Sequence, residues 1–493
     1  VERPKTVSEI KTVSEIKTGS KIKTGSEIDG FELIEQLPSG GMASLWRARH
    51  ADFDFPLILK IPFLDPGQDV SVIIGYEVEE MILKRLSGSH VPRFIASGDL
   101  AELPYLAMEF VAGVSLAKRT EAAPLPVEEV VRIGIAIGTA LTDLHRQSVV
   151  HLDLKPQNVI LAERGAVLLD FGLARHADLP DLLGEESAVP MGTPAYIAPE
   201  QVLGDRTDPA SDLFALGCML YQLATGEEPF GRPSTTAGMK RRLYHAPRPM
   251  RAIRPDIPAW LEAIVARCLE VDRSRRYADA AKLIFDLRNP DQVVLPRSNR
   301  ARPGGILGWL KQLFDRPSEA ALVGTAAEGS RRAGPSIVLT AVDLSDGATP
   351  LAAAILAETQ RLLAARPDSW LACLTVIKTD LVKETQYADS KGNSIYVKRL
   401  VALKDWARPL HLSEERVSYH VIEAVSAADA VLRYAEHNQI DHIVIGARSS
   451  SALRRHLGSV STKVVAEAHC SVSVVRIKGA AGEQDETRPT QRA

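Results

Sequence analysis

From Phe31 onward, short apolar runs separated by polar turns follow one another: FELIEQL, SLWRAR, LILKIPF, FIASG and YLAMEFV. Runs of this length with alternating polar positions predict an antiparallel sheet, interrupted by one helical stretch over about Val70 to Leu86. From Pro126 to about Leu287 the apolar positions take up helical spacing, with loops rich in Gly and Pro between them. A small β-rich lobe followed by a larger helical lobe is the expectation. Residues 290–335 lose the periodicity and become rich in Pro, Gly and Arg, which predicts a linker. Beyond it the runs SIVLTAV, WLACLTVI, VSYHVIEAV, DHIVIGA and SVSVVRI alternate with helical stretches, except for a polar excursion after the second run. That order predicts a βαβ series over residues 336–478, a parallel sheet with helices on its faces. Residues 479–493 are polar and read as a disordered tail.

Ahead of the first lobe, residues 5–28 read KTVSEI, KTVSEI, KTGSKI, KTGSEI, four hexamers with one isolated Ile each. So few apolar positions cannot build a core, so residues 1–30 are expected to be a flexible tail. Its Ser and Thr are acceptors for phosphorylation on one reading; on the other, which we adopt, the repeat arose by slippage and has no consequence. Within the linker, Ile306 to Phe314 is helix-compatible and flanked by Arg. It suits a membrane surface or a partner's groove, but a linker helix packed on a neighbouring domain is the simpler expectation.

Composition narrows the class. A chain of 493 residues with 45% hydrophobic and 25% charged positions can bury a core in two or three units. Fifty-nine Lys and Arg against 62 Asp and Glu leave a formal charge of −3, so no overall field draws in nucleic acid or an anionic membrane. Cys218, Cys268, Cys373 and Cys470 are too widely spaced for a zinc clip or a redox pair and are expected to be buried thiols of a reducing compartment. No apolar run approaches a membrane span and no signal peptide precedes the first lobe, so a cytoplasmic, soluble protein is expected.

The most specific stretch is His151-Leu-Asp-Leu-Lys-Pro-Gln-Asn158, followed by Asp170-Phe-Gly172. Phosphoryl transfer to a hydroxyl needs a carboxylate to orient the acceptor, cations on the phosphates and oxygen ligands for a metal, and these residues supply them. On these motifs the chain resembles the protein kinase family, specifically the eukaryotic-like Ser/Thr kinases of bacteria, across residues 31–289. The resemblance implies a two-lobed α+β fold that uses ATP with magnesium, or manganese in its place, and acts on protein substrates. It makes Asp153 the catalytic base, puts Lys155 on the transferring phosphate, and makes Asn158 and Asp170 the metal ligands. Lys60 in LILK becomes the lysine on the α- and β-phosphates, with Glu79 as its helix partner and Glu77 and Glu80 as neighbours that leave the register open. Met108 matches the gatekeeper ahead of the adenine-binding hinge at Glu109 to Val111. Glu200 in GTPAYIAPE is expected to pair with Arg276, and Asp212 to brace the catalytic loop. Thr193 together with Lys155 favours Ser/Thr over Tyr acceptors.

Two departures stand out. The phosphate-covering loop reads Pro38-Ser-Gly40-Gly-Met-Ala43, so only the central glycine of the family's three is present. Leu152 stands where many kinases carry an Arg that gathers a phosphorylated activation loop, which implies less dependence on that switch. The activation loop itself, Leu173 to Met191, holds a single hydroxyl, Ser187, beside Glu185 and Glu186. The alternative to an enzyme is a pseudokinase scaffold that binds nucleotide and partners without turnover; intact Lys60, Asp153, Asn158 and Asp170 argue against it.

Near the C-terminus, Ile443-Val-Ile-Gly446-Ala-Arg448-Ser449 and Leu457-Gly458-Ser459-Val-Ser461 place glycines after a strand and at a helix start, where backbone N–H groups can cradle phosphate. With the opening strand and Asp343, residues 336–478 resemble the universal stress protein family, which implies a Rossmann-like α/β domain. By that resemblance Asp343 lies near adenine and ribose, and Gly446, Arg448, Gly458, Ser459 and Ser461 form the phosphate loop. Ser449 replaces the family's second glycine, and one residue is missing before Gly458. Two readings stand: a site for ATP or another adenine nucleotide, or an empty module that docks a partner or forms a homodimer. A Ser/Thr kinase regulated by this domain, and phosphorylating itself as well as other proteins, is the expectation for the whole chain.

Overall fold

The computed structural model describes residues 22–38, 42–63, 70–99, 103–179, 181–184, 190–295, 336–345, 349–379, 394–413, 416–447 and 458–477. Gly40, Glu185 to Ser187, the stretch Ile306 to Phe314, Arg448, Ser449 and the C-terminal tail lie outside them. The chain divides into two compact units, Val1–Arg332 and Ala333–Ala493.

The first unit opens with strands β1 (Glu27–Ile28), β2 (Phe31–Leu37), β3 (Ala43–Arg49), β4 (Leu57–Pro62), β5 (Phe94–Ser97) and β6 (Leu106–Glu109), with helix α1 (Val70–Leu83) between β4 and β5. They form an antiparallel sheet of six strands in the order β1-β2-β3-β4-β6-β5. Alternation decides its faces: Leu33, Trp46, Ala48, Leu57, Leu59, Ile61 and Ala107 share one core. Lys60, between Leu59 and Ile61, therefore points to the opposite face.

The predicted tail is shortened by this sheet. Ile22 and Ile28 pack against the same core, and β1 pairs with β2. What allows it is Gly25 at φ +82°, whose N–H donates to the Leu33 carbonyl at 2.7 Å while Leu33 N–H donates to Ser26 O at 2.9 Å. The first two hexamers carry Val7 and Val13 at the matching position, and a β-branched residue resists that backbone conformation.

The larger lobe contains β7 (Val114–Ser115), α2 (Leu116–Glu121), α3 (Val127–Arg146), β8 (Val149–Val150), β9 (Val159–Ala162), β10 (Gly165–Leu168), β11 (Arg175–His176), α4 (Pro199–Val202), α5 (Ala210–Thr225), α6 (Thr236–Lys240), α7 (Ala259–Cys268) and α8 (Ala280–Arg288). Helix α3 buries Val130, Ile133, Ile137, Leu141 and Leu144, the stripe its periodicity predicts. Almost all of α5 is buried, so it is the central helix of the lobe. The small ladders β10-β9-β7 and β11-β8 frame two loops, His151 to Asn158 after β8 and the Asp170 turn after β10.

The second unit runs β12 (Ile337–Ala341), α9 (Pro350–Ala365), β13 (Trp370–Lys378), α10 (Ile395–Ala407), β14 (Val417–Ala424), α11 (Ala427–His437), β15 (His442–Gly446), α12 (Ser459–Glu467) and β16 (Ser471–Val475). All five strands are parallel, in the order β14-β13-β12-β15-β16. One face packs Leu339, Leu374, Ile443 and Ile445 on α11 and α12; the other packs Val338, Leu371, Cys373 and Val444 on α9 and α10. Helix α10 replaces the second half of the predicted polar excursion. Its buried Tyr396, Leu400, Leu403 and Ala407 keep helical spacing, but intervening Lys and Arg mask the stripe.

All four cysteines are free, and Cys470 departs from expectation in being only half-buried. Among the described residues, no helix is long and apolar enough to cross a membrane.

Candidate functional site

On the small lobe, β4 aims Lys60 at α1. Its ammonium donates to Glu79 Oε2 at 2.6 Å and to Asp170 Oδ1 at 2.9 Å. The open register of α1 thus resolves on Glu79, while Glu80 pairs with Lys84 at 3.0 Å. Glu79 is 2% exposed and also accepts the Phe171 backbone N–H, so a single carboxylate joins β4, α1 and the turn after β10. Burial pushes the Glu79 carboxyl upward, with the Lys60 charge opposing it. For Lys60 burial works against the charge, but Glu79 and Asp170 outweigh it and raise the ammonium above its ordinary value. Burial likewise opposes the Asp170 carboxylate, and Lys60 together with Lys155 and His151 more than offsets it, holding Asp170 below its usual range. The shifts of Lys60 and Asp170 favour their charged forms, while burial works against that of Glu79.

The loop from His151 to Asn158 is held from beneath by Asp212 on α5. Its Oδ2 accepts from His151 N–H at 2.9 Å and from His145 Nε2 at 2.9 Å, and its Oδ1 accepts from Leu152 N–H at 2.9 Å. Leu152 sits at φ +64°, a conformation an L side chain adopts only when its surroundings enforce it. Gln201 adds to that restraint by donating to Leu152 O at 2.7 Å. The next residue, Asp153, is 8% exposed. Its Oδ1 accepts from Thr193 N–H at 2.9 Å and from Thr193 Oγ1 at 2.6 Å. Its Oδ2 accepts from Lys155 Nζ at 2.6 Å and more loosely from Asn158 Nδ2 at 3.4 Å. Each oxygen thus has two donors, and the loosest of the four contacts is on Oδ2, where an incoming hydroxyl would displace least.

Asn158 Nδ2 donates mainly to the Asp153 carbonyl, at 3.0 Å, which leaves its Oδ1 as an acceptor. With Asp170, whose Oδ1 is engaged by Lys60, this makes a donor set of hard oxygens suited to magnesium. Among the described residues, no cluster of three or more His, Cys, Asp or Glu could cage a metal alone. A two-ligand site completed by phosphate oxygens and water fits magnesium's chemistry.

At the end of β6, Met108 is buried and Glu109 and Val111 are half-buried. The Glu109 and Phe110 N–H groups are engaged by Arg93 O and Pro56 O, both at 2.9 Å. The Glu109 side chain turns to Arg164 in the β9–β10 turn, a two-pronged contact at 2.6 and 3.0 Å that ties the hinge to the larger lobe. The bidentate Glu200–Arg276 pair, at 2.7 and 2.8 Å, forms as expected, with Ser211 donating to Glu200 at 2.7 Å.

In the second unit a cavity of about 540 Å³ opens where the strand order reverses, at the carboxyl ends of β12 and β15. It brings together Asp343, Gly446, Gly458, Ser459 and Ser461, with Lys378 and Arg399 on its lining. A Cβ at Gly446 would lie 2.9 Å from the side-chain ends of Leu351 and Ile355, which would have to shift to admit it. The first turn of α12 faces the cavity, but the Ser461 hydroxyl donates to Gly458 O at 3.0 Å and Asp343 caps Ser345 at 3.0 Å. Sequence reasoning missed His145, Arg164, Gln201, Lys378 and Arg399. Each is a solitary polar residue outside any motif, and only tertiary contact distinguishes it.

Residues 31–285 match the family model described as protein kinase domain, and residues 336–476 that of the universal stress protein family. Similar chains include a probable serine/threonine-protein kinase of Clostridium perfringens, 30% identical over 54% of this chain and 40% of the relative. Serine/threonine-protein kinase Pkn1 of Myxococcus xanthus is 30% identical over 56% of this chain and 40% of its own length. PknB of Mycobacterium tuberculosis is 33% identical over 52% of this chain and 42% of its own length. This chain thus spans about two-fifths of the curated relatives it matches. The solved kinase domain of Mycobacterium tuberculosis PknI aligns at 23% identity and TM-score 0.43, over 54% of this chain and 98% of that one.

Proposed function

Because the chain belongs to the protein kinase domain family, we propose that it transfers the γ-phosphate of ATP to Ser and Thr hydroxyls of proteins, itself included. The observation that carries the reading is Asp153, fixed by Thr193 and Lys155 while Lys60, Glu79 and Asp170 form one ionic group. In this scheme Asp153 Oδ2 orients the acceptor hydroxyl and takes its proton. The acceptor oxygen bonds to the γ-phosphorus as the bond to the β–γ bridging oxygen breaks, and ADP leaves. Lys155 offsets charge gathering on the transferred group, and Lys60 holds the α- and β-phosphates. Asn158 and Asp170 would hold magnesium, which when bound neutralises phosphate charge. The reading is tested with radiolabelled ATP and matched peptides bearing Ser, Thr or Tyr. Label on Ser and Thr alone supports it; label on Tyr alone contradicts the acceptor assignment, and none on any supports the scaffold.

The second unit we read as a nucleotide-responsive domain. The cavity's size, its place at the switch point and its mixed lining of Asp343, glycines and two cations suit an adenine nucleotide. A ligand there would change kinase output only through unequal affinity for two states of the chain. Calorimetric titration of the full chain with ATP, using a Lys60→Met background to weaken the first site, should retain one binding event. Loss of all binding would favour a docking or dimerising role.

A further inference from the structure

A single buried guanidinium ties down the segment after Asp170. Strand β11 lies antiparallel to β8, with Arg175 opposite Val150 and His176 opposite Val149, and so runs beside the strand that leads into His151. Farther along, Leu179 and Leu183 are buried, and Asp181 between them is 4% exposed. Asp181 accepts the Gly184 N–H at 3.1 Å. Arg206, beyond α4, donates its Nε to both Asp181 oxygens at 3.3 and 3.0 Å and its Nη2 to the Leu173 carbonyl at 3.0 Å. Leu173 directly follows Asp170-Phe-Gly172. The start and the far part of the segment therefore converge on one side chain. Burial opposes the Asp181 carboxylate, but Arg206 and Arg175 hold it below its usual range, so the anion persists at neutral pH.

We propose that Asp181 and Arg206 are positioning residues for phosphoryl transfer, a built-in ion pair that holds the segment after Asp170 against the catalytic strand with no phosphate added to the loop. The proposal rests on the kinase reading above. The effect of Asp181 passes through Arg206 to Leu173 and the turn that presents Asp170. Ser187, the one hydroxyl from Leu173 to Met191, plays no part in this scheme.

The test compares the full chain with its Asp181→Asn, Arg206→Lys and Ser187→Ala variants, and with Asp153→Asn as control. It measures kcat, peptide KM and the magnesium concentration giving half-maximal rate. Lysine keeps the charge of Arg206 but cannot span both Asp181 and the Leu173 carbonyl. Misplacing a metal ligand should lower kcat by ~10- to 100-fold in Asp181→Asn and Arg206→Lys. It should also raise the magnesium requirement, with peptide KM little changed and Ser187→Ala matching wild type. Amide exchange should speed up across Ala174 to Leu183 in Arg206→Lys while α5 stays protected, which separates local release from general unfolding. Wild-type kcat and magnesium dependence in Arg206→Lys would overturn the proposal, as would unchanged exchange there even if Asp181→Asn failed to fold. Damage in Ser187→Ala equal to that in Asp181→Asn would overturn it too. Full activity in Asp153→Asn would instead remove the kinase reading, and the proposal with it.

Discussion

Glu79 is one of three glutamates in four consecutive positions of α1, and only its carboxylate reaches Lys60. Glu79→Gln removes the charge that holds Lys60 and is expected to lower kcat/KM for ATP by ~10- to 100-fold. Glu80→Gln should stay within about twofold, since its half-buried pair with Lys84 lies within α1 and makes no contact with Lys60; steady-state kinetics on both variants checks the contrast. A second residue sets a pH dependence. Burial pushes His420 on β14 down to about 3, and its Nε2 meets only the Ser418 hydroxyl, at 2.8 Å. The folded chain therefore refuses a proton that the unfolded chain accepts near pH 6.5. The stability this neutral histidine confers is complete above that value and is lost as pH falls from 6.5 toward 3, by up to about 1.4 kcal/mol per unit. Protection factors of β14 amides in the full chain, with the intrinsic pH dependence of exchange divided out, should fall accordingly between pH 7 and pH 5, and His420→Gln should flatten the slope.

At the scale of elements, legibility followed whether the signal was contiguous. The strands of the small lobe and of the parallel sheet were readable because their apolar runs are short, dense and bounded by turn residues. The loops carrying Asp153 and Asp170 were readable because phosphoryl-transfer chemistry demands several functional groups within a few positions. Helix α10 was hidden by Lys398, Arg399 and Lys404, although a parallel β13–β14 pair requires a crossover and so calls for an element there. Strand β1 was hidden inside a repeat whose copies differ at one decisive position. Gly25→Val, which makes the last hexamer match the first two, should release β1 from β2. The expected loss is ~1–2 kcal/mol of small-lobe stability, with faster exchange of the Leu33 amide. Unchanged exchange would mean that the φ +82° turn is not what holds the strand. The Asp181–Arg206 pair left no trace in the sequence, because two solitary charges become meaningful only when the fold buries them together.

Across the whole molecule, a protein kinase domain over residues 31–285 shares one chain with residues 336–476, which match the model of the universal stress protein family. Near-neutral net charge suits this pairing, since the polyanion each site would hold is small and is met by local cations rather than by a global field. If the second unit regulates the first, Gly446→Val, which would clash with Leu351 and Ile355 at the cavity's edge, should alter the response of kinase rate to added nucleotide analogue while leaving Asp153 chemistry intact. An identical response would rule out coupling through that cavity. The most direct measurement for the central claim remains transfer of label from γ-labelled ATP with magnesium, wild type against Asp153→Asn at equal folded concentration. The account predicts label on Ser or Thr that falls by ~10³-fold or more in the variant, the loss expected when a general base is removed along with the positioning it supplies. Equal incorporation by the two proteins, or none by wild type, would contradict it.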